Sequence, residues 1–350
     1  MKSFEPGVLE RQLFPASLLS TVRLLGEHHL SLADSNPSRQ PPARFVDRLR
    51  ETALLASIES SNRLDGASIT PERLREIVIG GAGVDGRAEQ EIAGYRKALA
   101  DVVREARSGD FTPQVVLRLH GQLYRFVPEG GGCWKMSDDL VTETLPDGST
   151  EVVFTPVPAY AVEDAMNRLH EGFARHCAGA IIDPLLLIPA YLLDFLCIHP
   201  FSDGNDRMVR LLAPLLLERA GYHIATFVSL DPLFEQTRPA CSTALQASWR
   251  GWHRATHDLA PWSAYFLGIV LQACQQFDRE MDVASPPRGA KRDRVAEAVG
   301  RLPTEFRYAD LERLVPSISR PTINRTLRRL RVERVVRCVR PGRNARWQRM

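Results

Sequence analysis

The chain has 350 residues, 44% of them hydrophobic, which is enough to bury a large core in two or three globular units. No apolar run reaches the roughly 18 residues of a membrane span, the start lacks a signal-peptide core, and the six scattered cysteines lack zinc-site spacing. We therefore expect a soluble cytoplasmic protein without a membrane partner or a zinc site. The net charge of +3 hides a basic tail, with 18 basic and 6 acidic residues from Arg288 onwards, against 27 and 36 in the rest. Such a tail indicates contact with a polyanion or a solvated arginine-rich surface.

Apolar residues recur at three- and four-residue spacing through most of the body, which is the pattern of amphipathic helices. The fold class is therefore expected to be mainly α. The clearest of these stretches are Pro71–Ile79, Glu89–Ala106, Val115–Phe126 and Ala161–Cys177.

One segment in the body has the pattern of a β-hairpin. Residues 139–143 and 151–155 carry strand-forming side chains, and they flank the turn sequence Leu-Pro-Asp-Gly-Ser at 145–149. We predict a hairpin between Ser137 and Pro158, followed by a helix that begins near Tyr160.

The segment from Pro189 to Ala220 predicts an apolar helix, a short polar loop and a second helix. The first helix ends at Ile198, and the second begins near Asp206. The first turn of a helix has backbone N–H groups without internal partners and lies at the positive end of the helix dipole, so it attracts anions. The loop between the two helices is therefore a candidate phosphate site.

Four side chains of this segment have the chemistry for handling a polyphosphate. Arg207 and Arg210 are three residues apart, so both project from one helix face, where they can grip two phosphate groups. Asp203 is a hard oxygen ligand suited to Mg²⁺ held against a polyphosphate, and His199 supplies a general base. Taken singly, each could instead cap a helix or form a surface ion pair.

The segment from His199 to Arg210 resembles the motif of the Fic family, His-x-Phe-x-Asp/Glu-Gly-Asn-Gly-Arg-x-x-Arg. Every named position matches except one, because Asp206 stands where the family has its second glycine. Flanking sequences, among them Leu196-Cys-Ile-His-Pro-Phe and Tyr265-Phe-Leu-Gly, extend the resemblance from about Arg44 to Phe277. The resemblance implies the helical Fic core with a β-hairpin flap, and the predicted hairpin lies where that flap belongs.

The resemblance also implies an activity, the transfer of AMP from ATP to a Ser, Thr or Tyr hydroxyl of a target protein, with Mg²⁺ as cofactor. His199 would take the proton of the target hydroxyl, and Asp203 would hold the metal. An extended segment of the target would pair with the flap by strand addition. The residues implied in binding the nucleotide phosphates are Gly204, Asn205, Asp206, Arg207 and Arg210.

Asp206 makes slow transfer the expectation. In the family, glycine at this position lets the backbone come close to the phosphates. A carboxylate there adds like-charge repulsion, unless it turns outward or joins Asp203 as a second ligand of the metal.

A second motif lies upstream. Ser61, Asp65 and Gly66 match the inhibitory motif of Fic proteins, Ser/Thr-x-x-x-Glu-Gly/Asn, with aspartate in place of glutamate. In the family the glutamate pairs with the second arginine of the main motif, here Arg210, so the resemblance implies autoinhibition through a shorter carboxylate. Gly66 also has the position of an ordinary helix C-terminal cap, and the two interpretations are compatible.

The basic tail has the element order of a winged helix-turn-helix. A predicted third helix begins after Ser319, a favourable N-cap, and a Gly-containing turn separates two strands near the C-terminus. Predicted helices are 292–301, 308–314 and 320–330, and predicted strands are 334–339 and 345–348. The predicted domains are a helical region with the inhibitory motif at 1–110, the Fic core at 111–284, a linker at 285–290 and the winged helix at 291–350.

Winged helices of this kind dock on duplex DNA through the third helix and the wing. They also serve as protein-binding or dimerisation modules, so a homodimer stays open. The residues predicted to contact DNA are Arg320, Thr322, Asn324, Arg325, Arg328 and Arg343.

Three functions are compatible with the sequence. The first is an autoinhibited protein adenylyltransferase whose target is another protein or itself. The second is a weakly active or inactive Fic fold that acts as a nucleotide-sensing DNA-binding regulator. The third is a Fic relative that transfers phosphate or phosphocholine instead of AMP.

Overall fold

The structure is a computed structural model, and it describes residues 2–33, 43–66, 69–144, 148–284, 290–315, 318–340, 342 and 345–350. The chain forms two compact units, residues 1–277 and 278–350. Within the described ranges, no helix combines the length and the apolar composition needed to cross a bilayer.

The first unit is built from helices, which confirms the mainly α prediction. The predicted helices are present, and their observed bounds differ from the predicted ones by at most five residues. The helices are α1 (Ala16–Ala33), α2 (Ala43–Leu64), α3 (Pro71–Val78), α4 (Gly86–Arg107), α5 (Pro113–Leu123), α6 (Val162–Gly179), α7 (Pro184–Ile198), α8 (Asn205–Arg219), α9 (Asp231–Gln236), α10 (Arg238–Trp249) and α11 (Ala260–Ala284).

Helix α7 forms the centre of this unit. Every residue from Leu185 to Ile198 is buried, as expected for a helix that is apolar around its whole circumference. Its single buried carboxylate, Asp194, is satisfied by the backbone N–H of Ser3 (3.0 Å) and the indole of Trp252 (2.6 Å). Helix α8 packs against both α4 and α7. The loop between α7 and α8 is therefore held by a rigid core.

The predicted hairpin is present as an antiparallel pair, β1 (Val141–Thr144) and β2 (Thr150–Phe154), with Thr144 opposite Thr150. Turn residues 145–147 lie outside the described residues. The end of β2 is fixed because the Phe154 ring stacks on Trp249 and His253, with centroids 5.1 and 5.2 Å away.

The second unit contains three helices and a three-stranded antiparallel sheet. The helices are α12 (Ala290–Arg301), α13 (Tyr308–Leu314) and α14 (Arg320–Val332), and the strands β3 (Glu305–Arg307), β4 (Val336–Arg340) and β5 (Arg346–Arg349) lie in the order β3-β5-β4. The core of the unit includes Val295, Phe306, Leu311, Leu327 and Trp347. Most of the predicted linker, residues 285–289, lies outside the description.

Two local features of this unit differ from the sequence prediction. Strand β3 was not predicted, because its three residues carry too little pattern, and it exists through pairing with β5, where Phe306 lies opposite Trp347. Ser319 occupies the N-cap position, but its side chain makes no hydrogen bond to the helix backbone. Its hydroxyl instead meets that of Thr322 at 3.1 Å.

Candidate active site

The loop from His199 to Gly204 owes its shape to two left-handed residues. His199 has φ 52° and ψ 64°, and its N–H closes helix α7 by donating to the Phe195 carbonyl (2.9 Å). A non-glycine residue in this region is strained, which marks a position held by its surroundings. Gly204 has φ 83°, and a Cβ there would lie 2.6 Å from the Tyr124 hydroxyl. Both backbone angle and space therefore require glycine at 204.

The loop is braced from inside by Phe201 and Asn205. The Phe201 ring is fully buried and lies flat on His120, with centroids 3.6 Å apart, and burial lowers the pKa of His120 to about 4, which keeps that imidazole neutral. The Asn205 side chain accepts from Phe201 N–H (3.0 Å) and donates to the Phe201 carbonyl (2.7 Å). In this structure the Asn205 amide thus fixes the loop, and its backbone N–H remains as the donor for an anion.

The start of α8 presents free backbone donors. The first internal bond of the helix runs from Met208 N–H to the Gly204 carbonyl (2.9 Å). The N–H groups of Asn205, Asp206 and Arg207 come before it and have no helical partner. They form the anion-attracting helix end that the sequence predicted.

Both motif arginines are buried and held by carboxylates. One oxygen of Asp65, Oδ2, lies 2.7 Å from Arg210 Nη2 and 2.5 Å from Arg207 Nε. Arg207 Nη2 also donates to Glu91 Oε2 (2.7 Å), and Arg210 Nε donates to the Ser61 hydroxyl (3.0 Å). Burial alone would lower the pKa of each guanidinium, but the carboxylates outweigh it and the pKa values are raised.

Asp65 and Arg210 are in contact, as the family resemblance implied, and Asp65 makes one additional contact. Asp65 reaches Arg210 in spite of its shorter side chain, and it holds Arg207 as well, which the motif did not predict. Gly66 has φ 81° just beyond the end of α2, so its role as a helix terminator holds at the same time.

One atom of Arg207 has no partner within the described residues. Its Nη1 is buried and makes no hydrogen bond, although buried polar groups are normally satisfied. A donor of this kind beside a helix N-terminus suits an anion such as phosphate.

The two loop aspartates have different surroundings. Asp203 accepts from Gly204 N–H (2.8 Å) through Oδ1, while Oδ2 is 3.8 Å from Arg87 and the side chain is 66% exposed. Asp206 is exposed on the first turn of α8, and no hydrogen bond or ion pair involves its carboxylate among the residues described. Burial lowers the pKa of Arg210 and Asp65 raises it. Asp206 also raises this pKa, by less than either of those effects. In the described part of the chain, no three His, Cys, Asp or Glu side chains form a metal-binding cluster.

Among known families, the model of the Fic/DOC family matches residues 110–217, which include the loop and helix α8. The chain contains a Fic domain. Sequence relatives include the protein adenylyltransferase Fic of Culex quinquefasciatus, 27% identical over 183 residues, and that of Drosophila melanogaster, 28% identical over 183 residues. These matches cover 51% and 50% of this chain and 34% of each relative, so the chain spans about a third of the relatives' length.

Solved Fic structures share the fold. A Fic family protein from Desulfovibrio desulfuricans G20 aligns over 97% of both chains with a TM-score of 0.61 and 18% identity. Fic-1 from C. elegans (residues 134–508 of that protein) covers 77% of this chain and 73% of its own, with a TM-score of 0.59 and 18% identity.

The structure adds to the Fic site three residues that the sequence analysis missed. Asp139 lies two residues before β1 with its carboxylate against His199, and Lys135 holds that carboxylate. Nothing in the local pattern of either residue indicates these contacts. Glu91 did leave a signal, because it precedes Tyr95 and Ala98 by four and seven residues on the buried face of α4. A carboxylate on an apolar face predicts a buried cation as its partner.

Proposed function

We propose that this chain is an autoinhibited protein adenylyltransferase, which moves AMP from ATP to a hydroxyl group of a target protein. The observation that carries the proposal is the pair of buried guanidinium groups of Arg207 and Arg210 at a helix N-terminus that directly follows His199. Buried cations with an unused donor suit a polyphosphate, and an adjacent imidazole suits a hydroxyl nucleophile. The relatives named protein adenylyltransferase Fic support the same activity.

In the proposed reaction, the target oxygen attacks the α-phosphorus of ATP. A P–O bond forms to the target, the bond between the α-phosphorus and the β-phosphate oxygen breaks, and pyrophosphate leaves. His199 takes the hydroxyl proton. Arg207 and the first-turn N–H groups of α8 bind the phosphates, so that most of the catalytic effect comes from positioning and charge neutralisation.

The exposed carboxylate of Asp203 fits a Mg²⁺ ion bound jointly by protein and nucleotide. Mg²⁺ commonly takes one or two protein carboxylates, with phosphate oxygens and waters as its other ligands. Asp203 Oδ2 lies at the loop surface with only a distant ion pair to Arg87 (3.8 Å), and it meets that requirement. When bound, the ion would neutralise phosphate charge.

The flap is proposed to hold the target by strand addition. Most side chains of β2 are exposed, while Phe154 fixes its end against α10. Pairing through main-chain atoms would tolerate many target sequences.

Labelled ATP tests the proposed activity directly. We expect label in the α-phosphate to enter protein, the chain itself included, and label in the γ-phosphate to stay in pyrophosphate. Incorporation of γ-label alone would indicate phosphate transfer, and ATP binding without incorporation of either label would favour the regulator alternative.

Replacing Asp206 with glycine is expected to increase the rate of AMP transfer. The carboxylate projects from the first turn of α8, beside the N–H groups proposed to bind phosphate, and adds like-charge repulsion to a triphosphate. The rate of α-label incorporation should be compared for wild type and Asp206→Gly over a Mg²⁺ and Mn²⁺ titration, with Asp183→Asn as a control at a remote helix cap. Wild-type activity should depend strongly on metal concentration. A faster wild type would mean that the carboxylate belongs to the working site.

A second proposed activity is duplex DNA binding by the basic tail. On α14, Asn324, Arg325 and Arg328 are exposed and Thr322 is half-buried. Arg320, also predicted to contact DNA, is engaged by Glu312 at 2.6 and 3.1 Å. Arg343 lies outside the described residues. The support therefore rests on exposed side chains along one face of α14.

The DNA proposal predicts a steep salt dependence. In the full-length protein, Arg325→Ala and Arg328→Ala should each weaken binding to duplex DNA and lower the slope of log affinity against log salt by about one. Arg329→Ala is the matched control, because Arg329 is already paired with Glu333 on the same helix. Affinity that does not change with salt would favour a protein-binding tail.

A further inference from the structure

The loop between α5 and β1 contains a charge pair, a buried lysine and a partly exposed aspartate, that contacts His199 through the aspartate. Asp139 lies two residues before β1, and its Oδ2 is 2.7 Å from His199 Nδ1. Its other oxygen, Oδ1, accepts a hydrogen bond from Lys135 Nζ. The Lys135 side chain is only 1% exposed, so this ammonium is held inside the protein by Asp139.

The same loop is attached to the backbone of the histidine loop. Lys135 N–H donates to the Pro200 carbonyl at 2.9 Å, and the Trp134 ring lies 5.3 Å from that of Phe201. Asp139 therefore has a fixed position relative to His199. Burial alone would raise the pKa of the Asp139 carboxyl, but the hydrogen bonds with Lys135 and His199 outweigh it and the net shift is downward. Asp139 is thus ionised at neutral pH and can only accept hydrogen bonds.

Two groups lie near His199 Nδ1, and together they determine whether this nitrogen carries the proton. Asn205 Nδ2 is 3.2 Å away and is itself a donor, since the Phe201 backbone fixes the orientation of this amide through both of its ends. Asp139 is an acceptor at the shorter distance. Nδ1 must therefore carry the proton and donate it to Asp139, which leaves the lone pair on Nε2.

We propose that Asp139 is a positioning residue, which with Lys135 holds His199 in the tautomer whose Nε2 can accept the proton of the target hydroxyl. The inference rests on the proposed transferase function for its catalytic consequence, but the tautomer exists without it. Asp139 touches neither nucleotide nor target in this role. His199 has a strained left-handed backbone, which persists only where surrounding contacts hold the residue in place. The contact with Asp139 is one of these.

Asp139→Asn tests the inference because Lys135 determines the orientation of the new side-chain amide. Lys135 can only donate, so it takes the carbonyl oxygen of the new amide and leaves the NH₂ group facing His199 Nδ1. Nδ1 then becomes the acceptor, and the proton moves to Nε2. Transfer should fall by about 10²- to 10⁴-fold in kcat, while KM for ATP stays within a few-fold. In the double variant Lys135→Met, Asp139→Asn the amide is free to turn over, and part of the activity should return.

The tautomer can be measured without any turnover. Long-range proton–nitrogen correlation spectra of the ¹⁵N-histidine-labelled full-length protein, at a pH where imidazole is neutral, identify the protonated nitrogen, and loss of the signal in His199→Gln assigns it. We expect Nδ1–H in wild type and Nε2–H in Asp139→Asn. Asp138→Asn is the matched control, since its side chain accepts from Ala159 N–H (2.7 Å) and asparagine keeps that bond.

An Nε2–H signal in wild type, or an unchanged signal in Asp139→Asn, would overturn the inference. Unchanged kcat in an active Asp139→Asn enzyme would do the same. If the tautomer switches as expected but wild type transfers no AMP, the positioning role stands and the proposed function fails.

Discussion

Replacing His199 with alanine is expected to lower the rate of AMP transfer by about 10²- to 10⁴-fold, the usual effect of removing a general base. Binding of ATP should change only a few-fold, because the proposed phosphate contacts are those of Arg207, Arg210 and the first turn of α8. The measurement is α-label incorporation alongside equilibrium binding of ATP. This separates loss of chemistry from loss of the nucleotide site.

His223→Ala is a suitable control for that experiment. His223 lies at the end of the same core, where its Nδ1 meets Glu218 at 2.7 Å, and it takes no part in the loop. Its replacement should leave transfer nearly unchanged. Full activity in the His199 variant would remove the proposed mechanism, and equal losses in both variants would point to damage of the fold.

Releasing the two arginines by Asp65→Gly is expected to raise self-modification at low ATP by about 5- to 150-fold, the range that couplings of 1 to 3 kcal/mol produce. Asp65 contacts both guanidinium groups, so its removal releases Arg207 Nε and Arg210 Nη2 from the carboxylate that they share. Glu91 still holds Arg207, and Glu91→Gln in the same chain should therefore increase the rate further. Initial rates of α-label incorporation for the two single variants and the double variant measure these effects.

The same substitution should lower the melting temperature. Arg207 and Arg210 are 7% and 9% exposed. Without Asp65, each buried guanidinium keeps one nearby carboxylate, Glu91 for Arg207 and Asp231 (3.5 Å) for Arg210, so part of its charge compensation is lost. ATP should restore more stability to Asp65→Gly than it gives to wild type. Asp47→Asn, which changes a 73% exposed carboxylate on the same helix, serves as the control. A lower transfer rate together with unchanged stability would leave Asp65 as a plain helix-end residue.

The features that the sequence predicted well are those with local causes. Apolar periodicity and a polar loop predicted α7, α8 and the candidate anion site between them. The Asp-Gly sequence between two strand patterns predicted the hairpin. The resemblance to the inhibitory motif also predicted the contact between Asp65 and Arg210, which are far apart in the sequence. Family motifs thus predict some long-range contacts that periodicity cannot predict.

The features that the sequence did not predict depend on tertiary contacts. Asp139 meets His199 only because its loop docks on Pro200, and β3 forms only because β5 is beside it. The contact of the Asn205 side-chain amide with the Phe201 backbone was not predicted either. Each of these depends on a partner that periodicity and propensity do not identify.

In the proposed autoinhibition, the single Asp65 oxygen that contacts both arginines acts as a tethered competitor of the nucleotide. An intramolecular anion is present at a fixed effective concentration, set by the chain that carries it. The phosphates of a nucleotide would have to compete with that effective concentration. By displacing the one oxygen, they would release both guanidinium groups from Asp65 together. Activity would then respond to the cellular supply of nucleotide with a threshold set by the geometry of α2, so that a shift of this helix would retune the enzyme without any change in its catalytic loop.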